Sequence, residues 1–266
     1  MSAKGLKYLG KLDGKRVLVV GATSGIGFCV AEAAVEHGAQ VILSSSNQSK
    51  LNATAARLQS AYPDLVRANP LTTHACDLSD REHLEHNLSG LLDAATKIGK
   101  LNHISWTAGD AARIPRVQDL TIDAIYHAGI VRCVAPLLMA KLLPSYMERS
   151  AENSFTFTGG SITQKPNPGW AVMATWGGAV EGAMRGLAVD LKPIRVNIVS
   201  PGAVHTEILA GMAKDELEGM LEFFRKTSTT GTVGNPQDVA EAYLYIMKDQ
   251  FITGSIVETN GGRLLV

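Results

Sequence analysis

A glycine-rich run early in the chain has the residue types and the spacing to hold a phosphate. The run is GATSGIG at residues 21–27, and it follows a short apolar segment at residues 17–20. Glycines at such a turn let the backbone approach a phosphate closely, and the helix that follows offers its free N–H groups and its positive dipole end. A glycine triplet alone can be an ordinary tight turn, but its place between a strand and a helix favours a dinucleotide site. The residues expected to hold that ligand here are Gly21, Thr23, Ser24, Gly25, Ile26 and Gly27.

The segment after the second predicted strand indicates which nicotinamide cofactor this site would take. It reads SSSNQSK at residues 44–50 and holds no carboxylate. NAD sites usually place Asp or Glu there for the ribose 2′-hydroxyl, whereas neutral donors and a nearby cation suit a 2′-phosphate. We therefore expect NADP(H), held by Ser45, Ser46 and Asn47. Lys50 is the nearby cation, and Arg67 is a possible second one. Capping of the next helix by the same residues is an alternative that can hold at the same time.

The composition of the chain argues against several classes of partner. Its 266 residues fit one domain, residues 1–266, and its 25 basic residues balance its 25 acidic ones. A neutral protein is a poor partner for nucleic acid or anionic membranes, because both select basic surfaces. The three cysteines lack metal or redox spacing, no secretory signal is present, and His83 and His86 suit a solvated helix face. We expect a cytoplasmic protein with no membrane span and no metal.

The elements that must position these residues alternate between strand and helix along the whole chain. Short apolar or β-branched runs are separated by stretches with helical spacing. Strands separated by helices pair in parallel through right-handed crossovers. The sequence therefore predicts an α/β fold: a single-domain, Rossmann-like, doubly wound parallel sheet with helices on both faces. Asp77 and Leu78, after the third strand, would lie beside an adenine in that sheet, although an ordinary turn carboxylate fits the spacing equally well.

These motifs, in this order, resemble the short-chain dehydrogenase/reductase family over residues 15–262. The phosphate turn at 21–27, the Asp-Leu pair at 77–78, the Thr-Ala-Gly segment at 107–109 and IRVNIVSPG at 194–202 are each similar to a motif of that family. The resemblance implies a nicotinamide cofactor and an oxidoreductase activity. The further cofactor contacts that it implies are Ala108, Gly109, Pro201, Gly202, Val204 and Thr206.

The same resemblance indicates what the chain lacks. The catalytic Tyr and Lys of that family lie four residues apart on one helix, and the matching positions here are Met173 and Gly177, while its catalytic Ser falls at or beside Gly160. Reduction of a neutral ketone needs a proton donor, and general acid catalysis is worth roughly 10²–10⁴-fold in rate. Methionine and glycine donate no proton. Hydride transfer to a carbon that is already electron-poor, as in an imine or iminium, is therefore favoured.

Three residues are candidates for orienting such a substrate. Arg132 interrupts an apolar helix, and because a buried guanidinium must find an acceptor, it could hold a substrate carbonyl or carboxylate. A structural salt bridge or an oligomer contact is an alternative of similar weight. In the proline-rich loop at 163–170, which would overhang the nicotinamide, Asn167 could hydrogen-bond an amide and Trp170 could stack on a flat polycyclic substrate. The plainer interpretations are a turn residue and a core tryptophan.

The detailed pattern is similar to a divergent fungal branch of the family that includes bifunctional reductase/Diels–Alderases of bridged indole alkaloid biosynthesis. The similarity lies in AGIVR at residues 128–132, PGW at 168–170 and KPIRVN at 192–197. It implies NADPH-dependent reduction of an imine-type, polycyclic alkaloid intermediate and guidance of an intramolecular Diels–Alder cyclisation. It also implies a carboxylate in the proline-rich loop, where this chain has Asn167. That departure bears on proton handling and on the reductive step.

Two other functions are compatible with the sequence. One is a non-catalytic NADP(H)-binding scaffold or sensor. The other is a carbonyl reductase whose proton donor comes from elsewhere, such as His127 or Tyr146. By analogy with the paired-helix interface of the family, we also expect a homodimer or a homotetramer.

Overall fold

One parallel β-sheet of seven strands forms the centre of the molecule. The computed structural model describes residues 7–109, 116–207 and 213–266. The strand order is β3-β2-β1-β4-β5-β6-β7, and every neighbouring pair is parallel. The strands are β1 (Arg16–Val20), β2 (Gln40–Ser45), β3 (Thr72–Ala75), β4 (His103–Trp106), β5 (Ser154–Thr158), β6 (Arg195–Pro201) and β7 (Ile256–Thr259).

Helices connect the strands, as parallel pairing requires. They are α1 (Gly25–Glu36), α2 (Gln48–Ala61), α3 (Pro63–Ala68), α4 (Leu84–Ala95), α5 (Ile122–Gly129), α6 (Ala135–Tyr146), α7 (Ala171–Asp190), α8 (Lys214–Lys226) and α9 (Pro236–Lys248). A π-helical turn, Ile130–Val134, joins α5 directly to α6. The sequence pattern predicts a helix over residues 207–226, and the structure describes the part of it that forms α8; residues 208–212 lie outside the described residues.

Two hydrophobic cores lie on opposite faces of the sheet. Leucines and alanines of α4, α6 and α7 pack on one face, and α1, α2 and α9 pack on the other. Strands buried on both sides read as continuous apolar runs, and in β1 four of the five residues are buried. The predicted fold class, a doubly wound parallel sheet with helices on both faces, is confirmed.

The continuous helical stretch Ile122–Tyr146 is long and apolar enough to cross a membrane by length and composition. Half of its most apolar window is buried inside the domain, as in the core helix of an α/β protein. Its burial against the sheet gives it a structural role there.

The strand order also decides where a ligand can bind. The chain runs outward from β1 to β3, then returns to the centre and places β4 beside β1. The connections on the two sides of this point leave the sheet in opposite directions, and a crevice opens at the carboxyl ends of the strands. The residues predicted to form the phosphate turn lie at this crevice.

Candidate active site

A cavity of about 510 Å³ occupies this crevice. Its lining comes from the ends of six of the strands and from the π-helical turn. It includes all but two of the residues predicted to contact the cofactor. The lining residues are Gly21, Thr23, Ser24, Gly25, Ile26, Gly27, Ser45, Ser46, Cys76, Asp77, Leu78, Ser79, Thr107, Ala108, Gly109, Val131, Arg132, Thr158, Pro201, Gly202, Val204 and Thr206.

The phosphate turn can be built only from glycine at two positions. Gly21 has a φ of 92°, and a Cβ there would lie 2.6 Å from the backbone nitrogen of Ala108. A Cβ on Gly27 would overlap the carbonyl oxygen of Gly21. The turn therefore packs its backbone against the end of β4 and leaves open backbone at the start of α1. This arrangement fits a diphosphate, which needs N–H donors and close approach.

The end of the cavity beside strands β2 and β3 is lined by Ser45, Ser46 and Asp77. Oδ1 of Asp77 accepts from the backbone N–H of Ser79 at 2.8 Å and from its hydroxyl at 2.7 Å. These hydrogen bonds hold the pKa of Asp77 below its usual range. Asp77 is therefore an acceptor at neutral pH.

Two residues predicted to hold the 2′-phosphate do not line the cavity. Oδ1 of Asn47 accepts the backbone N–H of Lys50 at 2.9 Å, so Asn47 caps α2, as the alternative interpretation had it. Arg67 lies on α3, is largely exposed, and pairs with Asp64 at 3.1 Å. The structure does not bring either side chain to the site, and their phosphate contacts remain predictions.

Arg132 lies in the π-helical turn and lines the cavity. A π turn carries one more residue than an α turn, so it rotates the side chains that follow relative to the regular helix. The half-buried guanidinium of Arg132 lies against Gly109, where a Cβ would come within 2.7 Å of Nη1. Gly109 thus makes room for Arg132 beside the end of β4. The guanidinium is the charged donor that faces the ligand space from this side.

The described cavity wall contains few titratable side chains. Among the described residues that line the cavity, the titratable side chains are those of Cys76, Asp77 and Arg132. Burial, with a smaller contribution from the charge of Asp77, raises the pKa of Cys76 to about 11. Gly177 has no side chain, and a Cβ there would overlap Oγ1 of Thr163. In the described cavity wall, no group is suited to protonate a substrate oxygen.

The relocated donors considered above do not reach the cavity wall. The hydroxyl of Tyr146 donates to Asp93 at 2.8 Å, and His127 is not among the lining residues. A second phenol, that of the fully buried Tyr243, lies 2.5 Å from Oγ1 of Thr158, which does line the cavity. The Thr158 hydroxyl donates to the carbonyl of Trp106 at 2.7 Å, so Tyr243 is the donor to Thr158. Tyr243 is therefore satisfied inside the protein.

The proline-rich loop is tied to the C-terminal turn and stands apart from the cavity wall. Nη2 of Arg263 donates to Oδ1 of Asn167 at 2.5 Å, and Nζ of Lys165 donates to the carbonyl of Arg263 at 3.2 Å. Trp170 precedes α7 and is 36% exposed. Neither Asn167 nor Trp170 lines the cavity. The plainer interpretation of Trp170 as a core residue is wrong, because its ring is partly in solvent.

Several site residues escaped prediction. Thr107 and Thr158 follow strands β4 and β5, and their place at the carboxyl ends of parallel strands is a signal that could have found them. Val131 is brought in by the π turn, which has no sequence signal. Arg263 contacts Asn167, and Glu207 contacts Gly25. Each contact joins segments far apart in the chain, so residue spacing could not have predicted it.

The chain is similar to known proteins over nearly its whole length. A family model described as an SDR-like Rossmann domain matches residues 8–266. The chain is 49% identical to the short-chain dehydrogenase/reductase malC of Malbranchea aurantiaca over 96% of both chains. It is 42% identical to the short-chain dehydrogenase/reductase fsr5 of Gibberella fujikuroi over 97% of this chain and 98% of the other. Among solved structures, the MalC reductase/Diels-Alderase from Malbranchea aurantiaca matches with a TM-score of 0.93 and 48% identity, over 97% of this chain and 100% of that chain.

Proposed function

The chain belongs to the short-chain dehydrogenase/reductase family of oxidoreductases, and from that premise we propose that it is an NADP(H)-dependent reductase of fungal secondary metabolism. Its substrate is an imine or iminium intermediate of polycyclic alkaloid assembly. The observation that carries this proposal is the pairing of a cavity built on the phosphate turn with a described cavity wall that offers no general acid for a substrate oxygen.

The cradle fits the cofactor in three respects. Gly21 and Gly27 allow the close backbone packing that a diphosphate needs. Ser45 and Ser46 offer hydroxyls and no carboxylate where a 2′-phosphate would lie, and Asp77 remains an acceptor for the adenosine end. The cofactor, when bound, supplies hydride. A solved small-chain dehydrogenase in complex with NADPH is 27% identical and matches with a TM-score of 0.72, which supports the same choice.

The chain's own residues then determine which acceptor can react. A ketone gains negative charge on oxygen as it is reduced, and without a general acid that step is slower by roughly 10²–10⁴-fold. An imine that has taken a proton from solvent before binding is an iminium, and hydride transfer to its carbon gives a neutral amine with no further protonation. The guanidinium of Arg132 suits a carbonyl or carboxylate elsewhere on the substrate, and Asn167 and Trp170 would contact its distal part.

The same pocket could guide an intramolecular Diels–Alder cyclisation. That reaction transfers no proton and requires only that diene and dienophile are held in a reactive geometry. Support comes from the 48% identity to a solved reductase/Diels-Alderase and from the apolar Val131 beside Arg132 in the cavity wall.

Purified protein tests this proposal directly. NADPH oxidation would be followed with a cyclic imine such as 1-pyrroline and with the matched ketone cyclopentanone. Turnover of the imine alone supports the proposal. Turnover of the ketone at a comparable rate contradicts it and points to a carbonyl reductase with an unseen donor. Tight NADPH binding with no turnover of a panel of such imines would favour the scaffold or sensor.

We also propose that the protein is a cytosolic homodimer or homotetramer. Three aliphatic side chains on α6, on α7 and at the π turn are unusually exposed: Leu137 at 41%, Val189 at 65% and Val134 at 37%. Burying such side chains against a second copy is favourable. Light scattering coupled to size-exclusion chromatography would give the number of copies. The three cysteines are free and buried, which suits a reducing compartment.

A further inference from the structure

The N-terminus of α1 already contacts a carboxylate that comes from the chain itself. Oε2 of Glu207 accepts the backbone N–H of Gly25 at 2.8 Å, although the two residues are 182 positions apart. Gly25 is the first residue of α1 and lines the cofactor cavity. The helix has no capping bond from the side chain of Ser24 and no acidic residue in its first turn. Glu207 therefore provides the negative charge at this helix terminus.

The segment that carries Glu207 packs closely on the phosphate turn. A Cβ on Gly25 would lie 3.0 Å from Cγ2 of Thr206, the residue just before Glu207. Val204 and Thr206 of the same segment line the cavity. The carboxylate thus fastens one wall of the cavity to the turn at its base.

A dinucleotide needs this same helix terminus for its diphosphate, because free N–H groups and the positive end of the helix dipole converge there. A carboxylate and a diphosphate repel each other at such short range. We infer that Glu207 competes with the diphosphate of NADP(H) for the N-terminus of α1 and so weakens cofactor binding. This inference rests on the proposed cofactor, and it assigns to Glu207 an affinity-setting role in that site.

The cofactor's diphosphate can displace Glu207 from the N-terminus of α1. Glu207 is an exposed side chain with one charge and a single bond to the turn, so its release to water costs little. The diphosphate carries two charges, and the rest of the cofactor adds contacts along the cavity. When Glu207 leaves Gly25, its segment loses one tie to the phosphate turn. Cofactor occupancy is thereby coupled to the wall that holds Val204 and Thr206.

Titration of the full-length protein with NADPH, followed by nucleotide fluorescence, tests the competition. Glu207→Gln keeps an acceptor for Gly25 and removes the charge, so we expect the Kd for NADPH to fall by about fivefold. The gain should shrink at high salt, because screening weakens repulsion between partly exposed charges. Adenosine 2′-monophosphate, which has no diphosphate, should bind Glu207→Gln and the unchanged protein equally.

Glu148→Gln is the matched control, because it removes the same charge from an exposed glutamate that pairs with Lys100. It should leave the Kd for NADPH unchanged. A Kd that rises or stays the same in Glu207→Gln would overturn the inference, and so would an equal gain with adenosine 2′-monophosphate. Failure of the unchanged protein to bind NADPH would instead overturn the proposed function.

Discussion

The guanidinium of Arg263 lies 2.5 Å from the side-chain oxygen of Asn167 and joins the proline-rich loop to the C-terminal turn. Arg263 is 6% exposed, its Nη1 donates to Thr227 at 2.9 Å, and its guanidinium lies 5.4 Å from the ring centre of Phe224. The loop and α8 are therefore held by one buried cation. A neutral amide receives a hydrogen bond that a carboxylate would receive more strongly.

Asn167→Asp should stabilise the folded protein, because the buried guanidinium would gain an ionic acceptor at the same distance. We expect the free energy of unfolding in urea to rise by about 1 kcal/mol at pH 7. Arg263→Gln should lower it by about 2–4 kcal/mol and speed amide exchange in residues 164–170. Arg149→Gln, at an exposed arginine, is the control. A neutral effect of Arg263→Gln would show that the loop is held by other contacts.

The two neighbouring glycines of α7 should respond oppositely to alanine. A Cβ on Gly177 would overlap Oγ1 of Thr163, whereas nothing lies within 4 Å of a Cβ on Gly178. Gly177→Ala should cost about 1–3 kcal/mol of unfolding free energy through overpacking. Gly178→Ala should gain up to about 1 kcal/mol from helix propensity. Because a side chain at position 177 would overlap Thr163, Met173→Tyr combined with Gly177→Lys should fail to restore ketone reduction. Equal effects of alanine at both positions would contradict this packing.

Arg132→Ala should separate substrate handling from cofactor binding. We expect kcat/KM for the imine to fall by about 100-fold, since one charged hydrogen bond in an active site is worth about 3 kcal/mol. The Kd for NADPH should change by less than about threefold, because the proposed cofactor site is built mainly from the ends of strands and not from the π-helical turn that carries Arg132. Arg132→Lys keeps the charge but loses the planar fork, and it should recover only part of the activity. A large loss of NADPH affinity would place the guanidinium on the cofactor instead.

Ser45→Asp should reverse the preference between the two nicotinamide cofactors. A carboxylate at this cavity-lining position repels a 2′-phosphate and accepts from a 2′-hydroxyl. We expect the Kd for NADPH to rise by about tenfold or more and the Kd for NADH to fall. Ser49→Asp adds the same charge at an exposed position outside the lining and serves as the control. Unchanged discrimination in Ser45→Asp would place the 2′-phosphate elsewhere.

His103 should make the protein less stable as the pH falls. It is buried, its Nδ1 lies 2.9 Å from Oγ of Ser154, and burial together with the charge of Arg195 lowers its pKa to about 3. Below about pH 6.5, His103 is protonated in the unfolded chain but stays neutral in the folded protein. Stability should therefore be unaffected by His103 above pH 7 and fall by about 2 kcal/mol between pH 7 and pH 5. His103→Gln should remove that slope in urea unfolding, whereas His86→Gln at the surface should keep it.

The fold could be predicted because its signals are local. Apolar runs followed by glycine turns give the strands, and alternation with helices gives parallel pairing. Most of the residues predicted to contact the cofactor line the cavity, because they lie at or near the carboxyl ends of the strands. The π turn at 130–134 could not be predicted, because no residue type marks a π turn within a helical stretch, and Arg132 lies in this turn.

Long-range side-chain contacts also could not be predicted from the sequence. The indole of Trp176, on α7, packs on Gly129 and donates to the carbonyl of Ile125 at 2.8 Å. The tie between Asn167 and Arg263 joins residues 96 positions apart. Such contacts depend on tertiary packing, which no periodicity encodes.

The order of the strands separates two tasks that are usually discussed together. The turn after β1 and the end of β2, which we propose hold the nucleotide, lie on one side of the β1–β4 boundary, and α7 follows β5 on the other side. Substitutions on α7 therefore leave the strand ends that form the phosphate turn unchanged. Sequence changes can accumulate on that helix in this scaffold while the opposite half of the sheet stays intact.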